Sequence, residues 1–537
     1  MHKALSLFKQ ISKILFIKNN QIKIYKYLQI AMGLLQLLAL VCIAFIILLV
    51  LKYYFFTKMA MRYYSKQGIK EYKYYPFTGI ASEWIDQSLD DSLKTIKYIY
   101  FDDRFKEQDA ILSNFLDRAL LIIINPNLIN EFLQNQQNYV KFENALTGFK
   151  QFLGNGIAFE EGEKWKSKRR FVSKLFKFDV VVNYLNSIRT VTKMMFDRLE
   201  DSNFQVQKQF EALNSAISVQ IFMGANIDEY KIDGKNSYDA IDQMCSDIFY
   251  HYQNFSTAFL GKNFVRMKLR KSDKVICEKV QYVRQQMKNI ILDTIKREKA
   301  NIQENKEPEN ISIISLLLRE GHQIQEEKEI IDVLELTFSL YFASRDTLAS
   351  VLTIMLYYLL KNPYCFQAVE KEILSLPQNY TFSDIQKLDY LQACFKETIR
   401  INSSAPIILM REAKVDHKIG NYSIQKGTFV NVGLISNQLN EKYFKDPLTF
   451  NPNRWLDQST ENIIKENPFI YLPFSGGMRN CIGQHLANLQ AKIVLIEFIK
   501  KYQQPELPKD FVLELIIKQN YQIKNPLILN LKKRQNS

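Results

Sequence analysis

The chain has 537 residues, 47% of them hydrophobic and 24% charged, and carries a formal net charge of +15. This length and apolar content predict a large core, and the 17 glycines and 13 prolines argue against long disordered linkers. Six cysteines without paired spacing and five histidines without an i, i+4 pair argue against a disulfide framework, a zinc site or a histidine-bound metal. Since no basic block with interleaved aromatics occurs, we expect no nucleic-acid partner; the surplus charge suits a membrane surface, an acidic protein or plain solvated surface.

The N-terminal region predicts a membrane anchor. Residues 1–26 carry six lysines and no acid, spaced as in a helix that lies on anionic lipid; a mitochondrial transit peptide is the alternative, although arginine is absent. Ile30 to Leu51 is almost entirely apolar and, at about 1.5 Å per residue, long enough to cross a bilayer core of ~30 Å. We therefore predict a basic segment over 1–26 and one transmembrane helix over 27–52.

A linker over 53–80 is expected to follow the anchor. It contains two aromatic clusters, Tyr53–Phe56 and Tyr63–Tyr64, which we interpret as a belt at the membrane–water interface. Six basic residues precede the apolar stretch and six follow it, so charge alone leaves the orientation of the anchor open.

A second apolar stretch, Glu329 to Lys361, lacks glycine and proline and predicts a buried helix of about 50 Å. Arg345 and Asp346 lie in its middle, where charges are costly unless they are paired or functional. Thr347 follows them, and a threonine in mid-helix often only bonds back to the carbonyl four residues earlier.

The most informative stretch is the glycine-rich run Pro473 to Gly483, which opens onto an amphipathic segment over 484–502. Cys481 lies just before that predicted helix, whose positive N-terminal end favours the thiolate, an anionic sulfur ligand for a metal. Gly476 and Gly477 permit positive φ and close approach of the backbone to a flat cofactor. Arg479 can pair with a carboxylate on the rim of such a cofactor. The alternative is a buried free cysteine beside a glycine turn.

This run resembles the haem-binding signature of the cytochrome P450 family, Phe-x-x-Gly-x-Arg-x-Cys-x-Gly. All five fixed positions are matched, by Phe474, Gly477, Arg479, Cys481 and Gly483. The resemblance implies a mainly α fold with a small β part over 81–537, preceded by the transmembrane helix. It also implies haem b as cofactor, with the Cys481 thiolate as the iron ligand.

Further motifs occur along the chain in the order that is typical of the family. Trp165 and Arg169 resemble its Trp-x-x-x-Arg helix, and Arg411 resembles its strand arginine; with Arg479, these residues are implied to bind the haem propionates. Gly154-Asn155-Gly156 lacks the third glycine of a dinucleotide fingerprint, so we predict a plain turn there. The resemblance also implies a buried, structural cluster of three charged residues that locks the loop under the haem, formed by Glu397, Arg400 and Arg454.

The long helix resembles the family's distal helix, which passes above the haem iron. Ala343, Asp346 and Thr347 match by position, whereas Ser344 replaces the usual glycine and Leu348 the usual second hydroxyl residue. The resemblance assigns Ala343 to the cofactor pocket and proton delivery to Asp346 and Thr347.

The implied function is insertion of one oxygen atom from O2 into a lipophilic substrate. No flavin or nicotinamide fingerprint is present, so NADPH would act through NADPH–cytochrome P450 reductase, with cytochrome b5 as an optional further partner. We expect a basic docking face that includes Lys164, Lys168 and Arg170. The family resemblance favours the endoplasmic reticulum membrane, with the catalytic domain in the cytosol. A mitochondrial membrane is the alternative.

Two other functions stay open on the same sequence. One is a reductase-independent isomerase or dehydratase of oxygenated lipids, although relatives of that kind typically lose the distal acid and alcohol. The other is a membrane-bound haem sensor or carrier without turnover.

Towards the C-terminus we also predict a β-hairpin over 421–428 with a Lys-Gly turn, and a strand pair within 511–531.

Overall fold

The computed structural model describes residues 2–80, 104–105, 107–142, 150, 154–199, 202–225, 230–252, 270–308, 311–404, 410–517 and 521–535. Within these ranges the α-helices are α1 His2–Val50, α2 Thr57–Ser65, α3 Pro126–Gln134, α4 Gly162–Leu175, α5 Phe178–Val181, α6 Leu185–Asp197, α7 Val206–Ser218, α8 Ser237–Tyr252, α9 Lys271–Gln303, α10 Ile313–Arg319, α11 Glu327–Lys361, α12 Pro363–Leu374, α13 Phe382–Gln386, α14 Asp389–Ile401, α15 Leu434–Gln438, α16 Gln458–Glu466 and α17 Gln484–Lys501.

The strands in the same ranges are short. They are β1 Lys70–Glu71, β2 Ala110–Phe115, β3 Arg118–Ile123, β4 Tyr139–Lys141, β5 Phe204–Gln205, β6 Lys231–Ile232, β7 Lys235–Asn236, β8 Arg411–Ala413, β9 His417–Ile419, β10 Tyr422–Ile424, β11 Phe429–Val432, β12 Leu515–Ile517, β13 Tyr521–Ile523 and β14 Ile528–Leu529. Helix clearly dominates, as the sequence predicts.

The anchor helix joins the folded domain without a break. Helix α1 runs through both the basic segment and the apolar stretch, and a π-helical turn, Leu51–Phe56, leads into α2. The helix over Met32–Ser65 is long and apolar enough to cross a membrane. Its last turns, however, belong to the domain: Lys52 pairs with Asp117 at 3.2 Å.

Much of the expected linker is packed on the domain. Tyr64 of α2 is fully buried, and its hydroxyl lies 2.6 Å from the Thr428 hydroxyl. Tyr53 is buried too, whereas Phe55 and Phe56 are exposed. The prediction of an interfacial belt is therefore wrong for Tyr53 and Tyr64, because an aromatic ring next to an anchor is equally suited to a domain core.

A mixed six-stranded sheet has the order β1-β2-β3-β11-β8-β4. The β1/β2 and β3/β11 pairs are parallel and the others antiparallel. The predicted hairpin forms one turn earlier than expected: β9 pairs with β10 around Gly420, and the Lys426-Gly427 turn instead carries the chain from β10 into β11. The predicted C-terminal strand pair is present as β12/β13.

Helix α11 is the spine of the helical part and matches the predicted buried helix. Its 35 residues correspond to about 52 Å. It packs against α7, α9, α14 and α17, and most of its side chains are buried in the largest apolar core.

A buried ion cluster joins α14 to the segment that follows the sheet. The Glu397 carboxylate accepts five hydrogen bonds of 2.8–3.0 Å, from both ends of the Arg400 guanidinium, Arg454 Nε, Trp455 Nε1 and the Asn451 N–H. Burial alone would raise the pKa of Glu397, but the hydrogen bonds and charge of Arg400, with Arg454 and the Asn451 N–H, lower it below its ordinary value. The predicted structural cluster is therefore present and fully satisfied.

Replacing Glu397 with Gln should lower the free energy of unfolding by about 3–5 kcal/mol, because two buried guanidinium groups lose their anion. Glu461→Gln, at an exposed ion pair 3.5 Å from Lys396, should change it by less than about 1 kcal/mol. Urea unfolding of the haem-loaded protein measures both.

The same cluster gives a pH dependence with a definite sign. Since the pKa of Glu397 is lower in the folded state, its stabilisation is complete at neutral pH and is lost as the pH falls below the ordinary glutamate value and through the folded value. As the pH is lowered from 7, the urea midpoint of Glu397→Gln should fall less steeply than that of the native protein. An equal fall in both proteins would show that Glu397 is not the source of this pH dependence.

Candidate functional site

The loop before α17 presents Cys481 from a tight backbone turn. The Cys481 N–H donates to the Phe474 carbonyl at 2.8 Å, which closes the loop around a 3₁₀ turn, Gly477–Arg479. Gly477 has φ +68°, and a Cβ there would lie 2.7 Å from the Leu133 carbonyl oxygen of α3. A side chain at this position is thus excluded by both backbone conformation and contact.

The reason predicted for the paired glycines needs correction. Gly476 has φ −143°, and a Cβ there would approach Leu133 Cδ1 at 2.9 Å. Packing of the loop on α3 therefore excludes a side chain at Gly477 independently of any cofactor, whereas the neighbour at Gly476 is the end of a flexible leucine side chain. At Gly483 a Cβ would meet Phe176 at an ordinary 3.9 Å, so the protein's own packing does not demand glycine there.

Cys481 keeps exposed surface and borders a cavity of about 430 Å³. Enough protein surrounds the sulfur for burial to raise the pKa of the thiol, and the Gly483 N–H and Arg169 lower that pKa by less. The helix N-terminus favours the thiolate as predicted, through the Gly483 N–H, but burial outweighs it. A cation bound at the sulfur would be needed to hold it in the anionic form.

The two predicted residues of α4 lie on either side of this loop. Arg169 Nη2 donates to Asn480 Oδ1 at 2.5 Å. The buried Trp165 ring stacks on the Arg479 guanidinium, with Arg479 Cζ 3.6 Å from the ring centroid. Arg479 also donates to the Glu160 carbonyl at 3.0 Å and contacts the Glu161 carboxylate.

Lys141, Arg411 and Arg479 form what we call the cationic cluster. Strand pairing places Lys141 opposite Arg411, and Lys141 Nζ donates to the Ala158 carbonyl. Burial, followed by repulsion from Arg479 and Arg411, lowers the pKa of Lys141 to about 7. Burial likewise lowers the pKa of Arg479 to about 10, with Glu161 opposing the shift.

The charges of this cluster do not balance. Glu161 is the carboxylate that acts on all three cations, so three positive charges and one negative leave a formal +2 when every group is ionised. A ligand with two carboxylates would neutralise it. Sequence reasoning found Arg411 and Arg479 but missed Lys141, because the β4/β8 register that brings it in cannot be recognised from a three-residue strand. Glu161, four residues before Trp165, could have been noticed.

The middle of α11 opens towards the same region. Ala343 is exposed and Thr347 half-buried on a helix most of whose side chains are buried. Thr347 Oγ1 bonds back to the Ala343 carbonyl at 2.9 Å. One turn earlier, Ser339 accepts from the Ala158 N–H at 3.3 Å, and the Ala158 carbonyl is the acceptor for Lys141, so this face adjoins the cationic cluster.

Asp346 and Ser344 make contacts away from that opening. The Asp346 carboxylate pairs with Arg345, and Ser344 Oγ donates to the Tyr341 carbonyl at 3.0 Å and lies 2.7 Å from Ser218 Oγ. Ser344 thus satisfies its own hydroxyl within the helix.

The residues present fit a haem. An accessible sulfur, a +2 cluster for two propionates and a small exposed alanine with a threonine on the helix facing the opening correspond to its iron, its carboxylates and its distal face. Phe474 is half-buried beside the cysteine loop, where its ring can border the macrocycle.

Comparisons with known proteins agree with this geometry. The family model for cytochrome P450 matches residues 94–524. Cytochrome P450 4c21 of Blattella germanica is 25% identical over 415 residues, which is 74% of this chain and 80% of that protein. Cytochrome P450 3A17 of Cavia porcellus is 25% identical over 72% of this chain and 76% of its own length.

A solved structure shares the fold. The crystal structure of the cytochrome P450DA heme domain superposes with a TM-score of 0.69 at 17% identity, covering 87% of this chain and 98% of that one. With the family match, the cysteine loop and the cationic cluster together, the chain belongs to the cytochrome P450 family and is a haem-dependent monooxygenase.

Proposed function

We propose that this protein is a membrane-tethered monooxygenase that inserts one oxygen atom from O2 into a lipophilic substrate, using electrons from a separate reductase. The observation that carries the proposal is the position of Cys481 beside a cluster whose charge suits two carboxylates. When bound, haem supplies the iron at which O2 is activated, and a thiolate ligand favours cleavage of the O–O bond.

In this proposal the chain's residues divide the work of holding haem b. Cys481 is the iron ligand, and Lys141, Arg411 and Arg479 bind the propionates. Further cofactor contacts come from Trp165, Arg169, Ala343, Phe474 and Gly483. Glu161 would keep its contact with Arg479, because two propionates balance the three cations only together with its carboxylate.

Asp346 and Thr347 are proposed to deliver protons to the pocket. Thr347 lies at the opening, and its hydroxyl, which donates to the Ala343 carbonyl at 2.9 Å, would turn from that bond to donate into the pocket. Asp346 is the adjacent acid, and its pairing with Arg345 fixes the carboxylate in one place.

A basic patch on the outer face of α4 and the following turn is the proposed docking site for NADPH–cytochrome P450 reductase, and for cytochrome b5. Its exposed members are Lys164, Arg170, Lys174 and Lys177. Lys177 also lines the cavity beside Cys481. Lys168 does not belong to it, because its Nζ donates to the Asn155 carbonyl at 2.5 Å and faces Glu160 and Asp332.

The membrane placement rests on the exposed apolar helix before Lys52. We propose a single-pass protein of the endoplasmic reticulum with its domain in the cytosol, where such a reductase would meet it. Fractionation against mitochondrial markers tests this.

Turnover distinguishes the proposal from a lipid isomerase or dehydratase and from a haem sensor. The full chain, reconstituted with reductase and a panel of lipophilic substrates, should oxidise NADPH in a substrate-dependent manner. Conversion of lipid hydroperoxides without reductase would favour the isomerase, and bound haem without any turnover would favour the sensor.

Replacing Cys481 with His should abolish the strongly red-shifted absorption of the CO-bound ferrous protein, because that band requires a thiolate opposite CO. Cys277→Ala, at a buried cysteine of α9, should leave the band unchanged. A red-shifted band in Cys481→His would disprove the ligand assignment.

Replacing Thr347 with Ala should leave haem bound but divert electrons to peroxide, lowering product per NADPH by about tenfold or more, because a positioned proton donor is lost. The matched control is Thr353→Ala, whose hydroxyl makes the same bond to Ala349 at 2.7 Å but is fully buried. Equal coupling in the two variants would rule out a role for Thr347 in proton delivery.

Haem affinity should fall as the pH rises above about 7, since Lys141 is then losing its proton in the haem-free protein and must regain it to pair with a propionate. Haem transfer to apomyoglobin, measured between pH 6 and 9, reports the affinity. Lys141→Met should bind haem more weakly with a flatter pH profile, while Lys141→Arg should keep the affinity. If the haem affinity of Lys141→Met falls with pH as steeply as that of the native protein, the pH effect belongs to a group other than Lys141.

A further inference from the structure

Four charged side chains meet between α7, α8 and α11. The Arg345 guanidinium, buried in the middle of α11, contacts the Asp346 carboxylate through Nη1 and the Asp242 carboxylate of α8 through Nε. Its Nη2 lies 3.6 Å from Glu211 Oε2 of α7. We call these residues the acid cluster.

The acid cluster holds more negative than positive charge. Three carboxylates share one guanidinium, which leaves a formal −2 when all are ionised, in a place where little side-chain surface reaches solvent. Repulsion between carboxylates this close disfavours the fully ionised cluster. By contrast, the Glu397 cluster has two guanidinium groups for one carboxylate.

The surroundings of Glu211 favour that proton on its carboxyl group. Burial raises the pKa of Glu211; Arg345 and a hydrogen bond from Gln207 oppose the shift, while Asp346 and Asp242 add to it. On α8, Asp239 lies next to Asp242 and is itself balanced by nearby Lys235 and Lys208.

The cluster also reaches from the protein surface to the buried middle of α11, where Asp346 precedes Thr347 in the chain. The side chains of Asp242 and Glu211 are 27% and 18% exposed, and that of Asp346 is 11% exposed. Glu211 and Asp346 lie on neighbouring nitrogens of one guanidinium, so their carboxyl groups are held close together. Ser215 Oγ donates to Asp242 at 3.0 Å and fixes its carboxylate.

We propose that Glu211, supported by Asp242, is the proton reservoir that reprotonates Asp346, and that Arg345 is the positioning residue that holds the three carboxylates within reach. This inference rests on the proposed role of Asp346. In this step the O–H bond of Glu211 breaks and its proton passes to the Asp346 carboxylate, directly or across one water, and Asp346 then passes it on towards Thr347. Solvent then reprotonates Glu211 at its exposed edge, and Arg345 stays charged throughout.

The test compares Glu211→Gln and Asp242→Asn with Glu298→Gln in the haem-loaded full chain. Glu298 of α9 is a matched control, because burial raises its pKa as well and it lies outside the acid cluster. A normal CO spectrum shows that each variant is folded. Having Asp242→Asn as a second variant keeps the test informative if Glu211→Gln does not accumulate.

The first readout is independent of turnover. Infrared titration of the native protein should show a protonated carboxyl band that disappears only well above the ordinary pKa of glutamate. Glu211→Gln should remove this band and Asp242→Asn should shift its titration, whereas Glu298→Gln should leave it in place. A band that survives unchanged in Glu211→Gln would overturn the reservoir.

The second readout is product formed per NADPH across pH. Coupling in Glu211→Gln should be about threefold to tenfold lower, less than the hundredfold that losing a direct proton donor can cost, and its alkaline fall should be flattened. Native coupling in Glu211→Gln would overturn the inference. If the native protein shows the infrared band but no turnover, the stored proton is supported and the proposed function fails, so the two are separately testable.

Discussion

An unbalanced group of buried charges governs the site. Lys141, Arg411 and Arg479 occupy one region with Glu161 as the carboxylate that acts on all three, and burial already lowers the pKa of Lys141 to about 7. Cations in such a place repel one another unless anions join them. A cofactor that brings two carboxylates removes this strain, and the strand register that creates the cluster thereby contributes to cofactor affinity.

The two ion clusters of the helical core show how charge balance separates structural from functional groups. Glu397 is surrounded by donors and lies between two guanidinium groups, so its protonation is suppressed and the cluster is rigid. Arg345 is instead shared by three carboxylates, so the group is short of positive charge. The first arrangement fastens the segment after the sheet to α14; the second is the group that we propose takes up and releases a proton.

In the proposed membrane placement, the junction between the apolar helix and the domain restricts how the protein sits on the bilayer. The helix that leaves the apolar stretch continues through a π-helical turn into α2, and Lys52 and Tyr64 fasten it to the domain. A continuous helix passes its direction on to the attached domain, unlike a flexible linker. The tilt of the anchor and the orientation of the pocket are therefore coupled.

Local patterns were sufficient for the long elements and for the motifs. The apolar run of α11 and the loop of Cys481 could be predicted, because helix periodicity and motif spacing act over short stretches of chain. The partners of Glu397 were implied by the family resemblance, since Arg454 is distant along the chain. The hairpin was misplaced by one turn, since Gly420 and Gly427 offer equally good turn signals and only pairing with β3 and β8 decides which strands face each other. The interfacial position predicted for Tyr64 was wrong for a related reason, because the residue that its hydroxyl contacts, Thr428, is distant along the chain.

The sequence by itself determined the family, the loop that presents Cys481, the long buried helix α11 and the apolar N-terminal helix, because each depends on residues that are close along the chain. Only the tertiary structure decided that Lys141 joins Arg411, that Leu133 demands Gly477, and that Glu211 and Asp242 meet Arg345. Those partners are distant along the chain, and charge balance or steric exclusion arises only where packing brings them together.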